Sequence, residues 1–220
     1  TYGQVQKDVT RVCSRIRRTL EFHGLDKALP AGPWGSGAAY ARLKQRLTET
    51  EMSDSLRFSF DVMFRELEQL RQLKKELVQQ LRKLAKSDRY RESVRLLMSA
   101  PGIGKLTAIR LVLEWGDVSR FGRKEEFASF LGLVPSDYSS GEEERRGHIT
   151  KQGNRRVRSW LVECSWVAIR LDPVLLEKFR RVLRNCGSKK KAIVAVARKL
   201  AMRLRRLLLS REPYVVGVVE

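Results

Sequence analysis

The sequence predicts a mainly α protein, in which long coiled-coil helices precede a compact helical domain containing a helix-hairpin-helix. Three observations predict it. From Ser53 to Lys86 no residue breaks a helix, and Met63, Leu67, Leu70, Leu77, Leu81 and Leu84 follow a three- and four-residue seam in which Lys74 fills one position. Beyond about Arg91, apolar residues recur with a helical period between short turns. At residues 96–112, LLMSAPGIGKLTAIRLV, two apolar runs flank Pro-Gly-Ile-Gly, a pair of helices closed by a tight turn.

Each element follows in order. Residues 4–23 read as a basic helix stopped by Gly24, and ALPAGPWGSG (28–37) is a Pro/Gly-rich connector, so residues 1–37 form a linker helix and connector. Residues 38–90 form the coiled-coil region, which opens with a helix from Ala38 to Leu47. Its long helix has two readings: packing within its own domain, or self-association and a long hairpin. The third segment, 91–220, is the compact domain. Leu96, Leu97 and Ala100 lead into Pro101; helices follow at Leu106–Trp115 and Lys124–Leu131. Asn154 is a good N-cap for a helix with Val157, Trp160, Leu161, Cys164, Ala168 and Leu171 on one side. Asp172-Pro173 ends that helix, because the residue before proline is pushed out of the α region. Helices 174–186 and 189–209 come next, separated by Gly187-Ser188, and the tail EPYVVGVVE is a short strand or an arm.

Composition narrows the function. The chain has 220 residues, a 42% hydrophobic fraction and a net charge of +20. The hydrophobic fraction is that of a globular protein, whereas the charge calls for a polyanion, since Lys and Arg release counterions when they neutralise phosphates. No apolar run is long enough to span a membrane, and no signal-like start is present. Cys13, Cys164 and Cys186 are few, far apart and without zinc-ligand spacing, which fits the cytoplasm and argues against a disulfide framework or structural metal. The chain begins with Thr rather than Met, so it is expected to be an excerpt of a longer protein.

Three stretches can carry chemistry. In the hairpin, Gly102 and Gly104 let backbone amides at the second helix's start approach a phosphate oxygen, and Lys105 adds charge; a plain turn between two helices is the alternative. From Lys178 to Arg206 there are twelve Lys or Arg and no acid, and Lys191, Arg198 and Arg205 repeat every seven residues on one side. Ordinary solvated faces mix signs, so a nucleic-acid backbone is the expected ligand. The third stretch is YSSGEEERRGHITKQGNRR (138–156), in which Arg145, Arg146, Lys151, Arg155, Arg156 and the helix start at Asn154 provide phosphate-holding groups around Ser140. A serine hydroxyl is a poor nucleophile without an activating base or metal. His148 is the one nearby neutral base, and Glu142, Glu143 and Glu144 are adjacent on one loop and read as solvated. Tyr138 is a weaker nucleophile candidate, because the arginines and histidine that a tyrosine recombinase needs before its tyrosine come after it here.

The order PGIGKLTA, FGRKEEFASFLGLVPSDYSSG, RRGHITKQGNRRVRSWLVECSW, over about Ser93 to Arg170, resembles the C-terminal domain of a family of bacterial insertion-sequence transposases. These are the DEDD-type enzymes of insertion sequence family 110, the IS116/IS110/IS902 type, related to the Piv DNA invertases. QVQKDVTRVCSRIRRTLEFHGL and the leucine-rich helix look like that family's linker and coiled coil. The resemblance implies a DNA recombinase whose serine, immediately before a glycine, attacks a DNA phosphodiester and becomes covalently linked to it. That serine maps to Ser140, with Ser139 the close alternative. It also implies a structured guide RNA, oligomers joined through the coiled coil, and an N-terminal RuvC-like nuclease domain whose four acids bind magnesium. That domain has no counterpart in these 220 residues, so the chain is expected to hold no cofactor itself, and to bind nucleic acid without cutting it alone.

Overall fold

The structure, a computed structural model, describes residues 1–29, 34, 37–137, 146–149 and 152–218. These residues are mainly α-helical, as expected, and divide into two units, Thr1–Gln80 and Leu81–Glu220.

The first unit is built on three helices. α1 (Tyr2–Phe22) buries Val5, Val12, Ile16 and Leu20, a stripe at seven- and four-residue steps that leaves its arginines in solvent. α2 (Gly37–Glu49) buries Tyr40, Leu43 and Leu47. α3 (Asp54–Leu84) buries Phe60, Met63, Phe64 and Leu67 and runs past the unit boundary. All of these except Val5 form one core with Trp34. Burying each large apolar side chain contributes about 1.5–3 kcal/mol. Polar contacts at the rim fix the pairing: Arg15 meets Glu66 at 2.8 Å, while the Tyr40 hydroxyl and Lys44 both donate to Glu68, at 2.8 and 3.0 Å. The bonds from Lys44 and Tyr40 hold the Glu68 carboxyl below the usual carboxylate range. The leucine seam therefore has two fates within this unit. Met63 and Leu67 pack in the unit's own core, whereas Leu70 and Leu77 are half-buried and Leu73 is exposed.

The second unit is organised around its last helix. α4 (Asp88–Met98) and α5 (Lys105–Trp115) pair across a short turn, and α6 (Lys124–Phe130) follows a 3-10 turn at Val118–Arg120. Two short strands, β1 (Pro135–Asp137) and β2 (Arg146–Ile149), pair antiparallel, with Pro135 opposite Ile149 and Asp137 opposite Arg146. α7 (Arg155–Leu171), α8 (Pro173–Cys186) and α9 (Lys189–Ser210) complete it. α9 touches α4, α6, α7, α8 and the 3-10 turn, so it is apolar on most sides: Ala192, Ile193, Val196, Ala197, Leu200, Ala201, Leu204 and Leu207 are all buried. Trp115 and Phe127 cross edge to face at 5.1 Å beneath α5 and α6.

The expected helix boundaries recur within a few residues, for local reasons. Asn154 Oδ1 accepts from the amides of Arg156 (3.0 Å) and Val157 (3.3 Å). Asp172 closes α7 and caps α8, accepting from Val174 (2.8 Å) and Leu175 (3.3 Å), with Pro173 at the first helical position. Gly187 adopts φ +64° between α8 and α9. One expected apolar position differs: Leu171 is 57% exposed, while Ser165 and Ile169 are buried. The buried stripe of Val157, Leu161, Cys164, Ser165, Ala168 and Ile169 stops short of Leu171, the last residue of α7. The tail after Ser210 forms no strand through residue 218 and ends in a turn, an arm rather than a strand. No helix among the described residues is long and apolar enough to cross a membrane.

Candidate nucleic-acid interface and serine loop

The turn between α4 and α5 shows why its two glycines differ. Gly102 sits at φ +81°, and a Cβ there would lie 2.5 Å from the Cys164 carbonyl oxygen and 3.2 Å from Val167. Its lack of a side chain lets the turn press on the α7 backbone, a packing role. Gly104 has an ordinary extended φ of −84°, and a Cβ there would meet nothing within 4 Å. It caps α5 without a side-chain hydrogen bond, so the first amides of α5 face an open surface. Lys105 is exposed beside them. Gly104, Lys105 and Leu106 line an open groove of about 700 Å³ with Arg82, Lys86 and Met98. Arg82 and Lys86 are cations that sequence reasoning placed in the coiled-coil region; their four-residue spacing, which puts both on one helix side, was the available signal.

The serine loop is the connection between β1 and β2. Tyr138, Ser139, Ser140, Glu142, Glu143, Glu144, Arg145 and Lys151 lie outside the described residues, as do the side chains of Arg146 and His148. The base of the loop is described. Gly132 (φ +64°) and Gly153 stand back to back, and a Cβ on Gly153 would run into the Gly132 amide nitrogen and the Phe130 carbonyl oxygen. Arg158, one turn into α7, donates to the Leu131 carbonyl at 3.1 Å across the same junction. Burial, then the neighbouring Arg155, press the Arg158 pKa downward. On the exit side, Glu114 of α5 accepts from Asn154 Nδ2 at 2.7 Å and pairs with Arg156 at 3.3 Å. The two stems are thus fixed to each other and to α5 and α7.

This arrangement changes the expected roles at the head of α7. The amides of Arg156 and Val157 are taken by Asn154, so they are not the open anion site that the sequence suggested. Arg155 and Arg156 are exposed, Arg156 with Glu114 as its partner. The α4–α5 turn and the head of α7 stand at opposite ends of α5. Lys105 and Glu114 are separated by about 14 Å at 1.5 Å per residue.

The heptad Lys191, Arg198, Arg205 does not stay on one open face. Lys191 is exposed, Arg198 half-buried, and Arg205 turns inward to donate to the Phe121 carbonyl. The C-terminal half of α9 is covered by α6 and the Val118–Arg120 turn, which captures Arg205 for the fold. A buried network beside it escaped sequence reasoning altogether. Asp172, 1% exposed, accepts from Arg203 at 2.7 Å and from the Tyr214 hydroxyl, and Arg203 also reaches Tyr214 and the Val218 carbonyl. Burial pushes the Asp172 carboxyl up, but Tyr214, the Val174 and Leu175 amides and Arg203 outweigh it and hold it below the usual range. The Tyr214 amide donates to Ser99 Oγ at 2.8 Å, which ties the arm to the end of α4. Among the described residues no group of three or more His, Cys, Asp or Glu could hold a metal ion.

Residues 94–180 match the family model described as Transposase IS116/IS110/IS902 family. The chain is 27% identical over 216 residues to the transposase for insertion sequence element IS1111A of Coxiella burnetii, covering 96% of the chain and 57% of that protein. It is 31% identical over 155 residues to a probable family 20 transposase of Pseudomonas aeruginosa, covering 66% of the chain and 46% of that protein. It is 34% identical over 113 residues to the pilin gene-inverting protein of Moraxella lacunata, covering 50% and 34%. The chain therefore spans about half or less of the length of these relatives.

Proposed function

We propose that the chain is the nucleic-acid-binding, serine-bearing part of an insertion-sequence transposase, a DNA recombinase guided by a structured RNA. The observation that carries this reading is the match of residues 94–180, which takes in the hairpin, the serine loop and the helices that brace it. Names of relatives that include transposases and a gene-inverting protein support rearrangement of DNA as the reaction class. The braced stems support a division of labour. Gly132, Gly153, Arg158 and Glu114 hold the loop's base, and the loop carries Ser140, or Ser139, to a phosphodiester.

In this reading the serine hydroxyl gives up its proton as its oxygen attacks phosphorus, the bond to the leaving sugar oxygen breaks, and that oxygen takes up a proton. The phosphoserine link stores the phosphodiester for strand exchange. The α4–α5 hairpin acts as a helix-hairpin-helix, with Gly104 and Lys105 on the sugar–phosphate backbone and Gly102 shaping the turn. A neutral serine needs an activator. The acidic nuclease domain implied by the resemblance would supply it with magnesium bound, so these 220 residues alone are expected to bind nucleic acid without cleaving it. The half-covered seam of α3 at Leu70 and Leu77 favours association of copies through this helix.

The test is Ser140→Ala in the full-length protein with its donor and target DNA. Recombination is expected to vanish while nucleic-acid binding persists. Normal recombination by both Ser140→Ala and Ser139→Ala would remove serine from the mechanism. Strand cleavage by the isolated 220 residues would count against the division of labour.

A further inference from the structure

We propose that Lys178 and Arg181 on α8, together with Arg198 and Lys199 on α9, receive a second stretch of sugar–phosphate backbone, apart from the α4–α5 turn. This rests on the reading of the chain as a nucleic-acid binder and adds a surface to it.

The placement follows from the fold. α8 and α9 pack against each other on either side of the Gly187-Ser188 turn. Lys178 lies ten residues before Ser188 and Arg198 ten after it, so an antiparallel pair brings them level. Burial, then the cationic Arg181, Lys199 and Arg198, press the Lys178 pKa downward. No acid occurs in the sequence between Lys178 and Arg206. Lys178, Arg198 and Lys199 are half-buried, and attraction to an anion at a partly buried cation is screened less than in open water. The same sign continues into Lys189, Lys190 and Lys191, three exposed lysines at the positive end of α9, where the helix dipole disfavours them. A fold selected only for stability would place an acid here. A phosphate strand lowers the repulsion from outside.

The experiment uses the 220-residue chain and a Lys178→Met/Arg198→Gln variant, which removes two charges while keeping the apolar stem of Lys178. Binding to a 30-base-pair DNA duplex and to an RNA hairpin of similar length is followed by fluorescence anisotropy between 50 and 200 mM salt. For DNA, two lost phosphate contacts make the slope of log K against log salt shallower by about two units. Affinity should fall by about tenfold or more, with Tm unchanged or raised, because like charges have been removed. Loss confined to the duplex identifies DNA as the ligand; loss confined to the hairpin identifies RNA. Unchanged affinity and slope for both would sink the proposal while leaving the wider reading intact. So would lost affinity with a lowered Tm, which would assign these cations to the fold. Failure of the unmodified chain to bind either nucleic acid would remove the wider reading as well.

Discussion

Gly102 and Gly104 differ in what a methyl group would meet. Gly102→Ala drives a carbon into the Cys164 carbonyl at a positive φ, so it should destabilise the second unit by about 2–4 kcal/mol. Gly104→Ala meets nothing and should leave Tm within a degree or two, yet weaken duplex binding by crowding the first amides of α5. Thermal melts paired with anisotropy separate the two; a large Tm loss in Gly104→Ala would refute the assignment. Asp172 gives a pH test. Its pKa lies below the ordinary carboxylate value in the folded protein, so it stabilises the fold above about pH 4, and that contribution is lost as pH falls through its folded pKa. Asp172→Asn should cost about 3–5 kcal/mol near neutrality, because Arg203 is left buried beside a neutral amide. In urea titrations the gap between variant and parent should close below about pH 4.

Among the elements, α3 and α9 were the most legible in sequence and the most altered by packing. The period of α3 gave its helix and its seam, yet not which half of the seam the unit covers with its own helices. Leu67 is fully buried, so Leu67→Ala should cost about 2–5 kcal/mol. Leu70→Ser/Leu77→Ser should lower Tm less than Leu67→Ala, because both are only half-buried, with Leu70 at the edge of the unit's core, and should abolish self-association in light scattering. An unchanged particle size would reject α3 as the contact between copies. In α9 the heptad of Lys191, Arg198 and Arg205 was visible in the sequence. The cover over its C-terminal half was not, because α6 and Phe121 are some eighty residues away along the chain.

At the scale of the whole molecule, charge is unevenly shared. Residues 1–80 hold 14 basic and 10 acidic residues, whereas residues 81–220 hold 31 and 15, so most of the net charge of +20 belongs to the unit that carries the hairpin, the serine loop and α9. If six or more of these cations meet phosphates, raising salt from 50 to 200 mM should weaken duplex binding by about 10³-fold or more. A salt-insensitive affinity would exclude the backbone as the main ligand.

The sequence by itself determined what near neighbours decide. The helices, their caps at Asn154 and Asp172, the stop at Gly187 and the excess of positive charge all follow from residues within a turn or two of one another. The motif order around PGIG and SSG likewise pointed to the family model that residues 94–180 match. Tertiary structure alone decided which residues of a pattern face inward. It set Gly132 against Gly153 at the root of the serine loop, took two amides at the head of α7 for Asn154, and turned Arg205 to Phe121. It also enclosed Arg203 with Asp172 and Tyr214. The physical reason is that side-chain period and charge are properties of a segment, whereas burial and hydrogen-bond satisfaction depend on groups that folding brings in from distant parts of the chain.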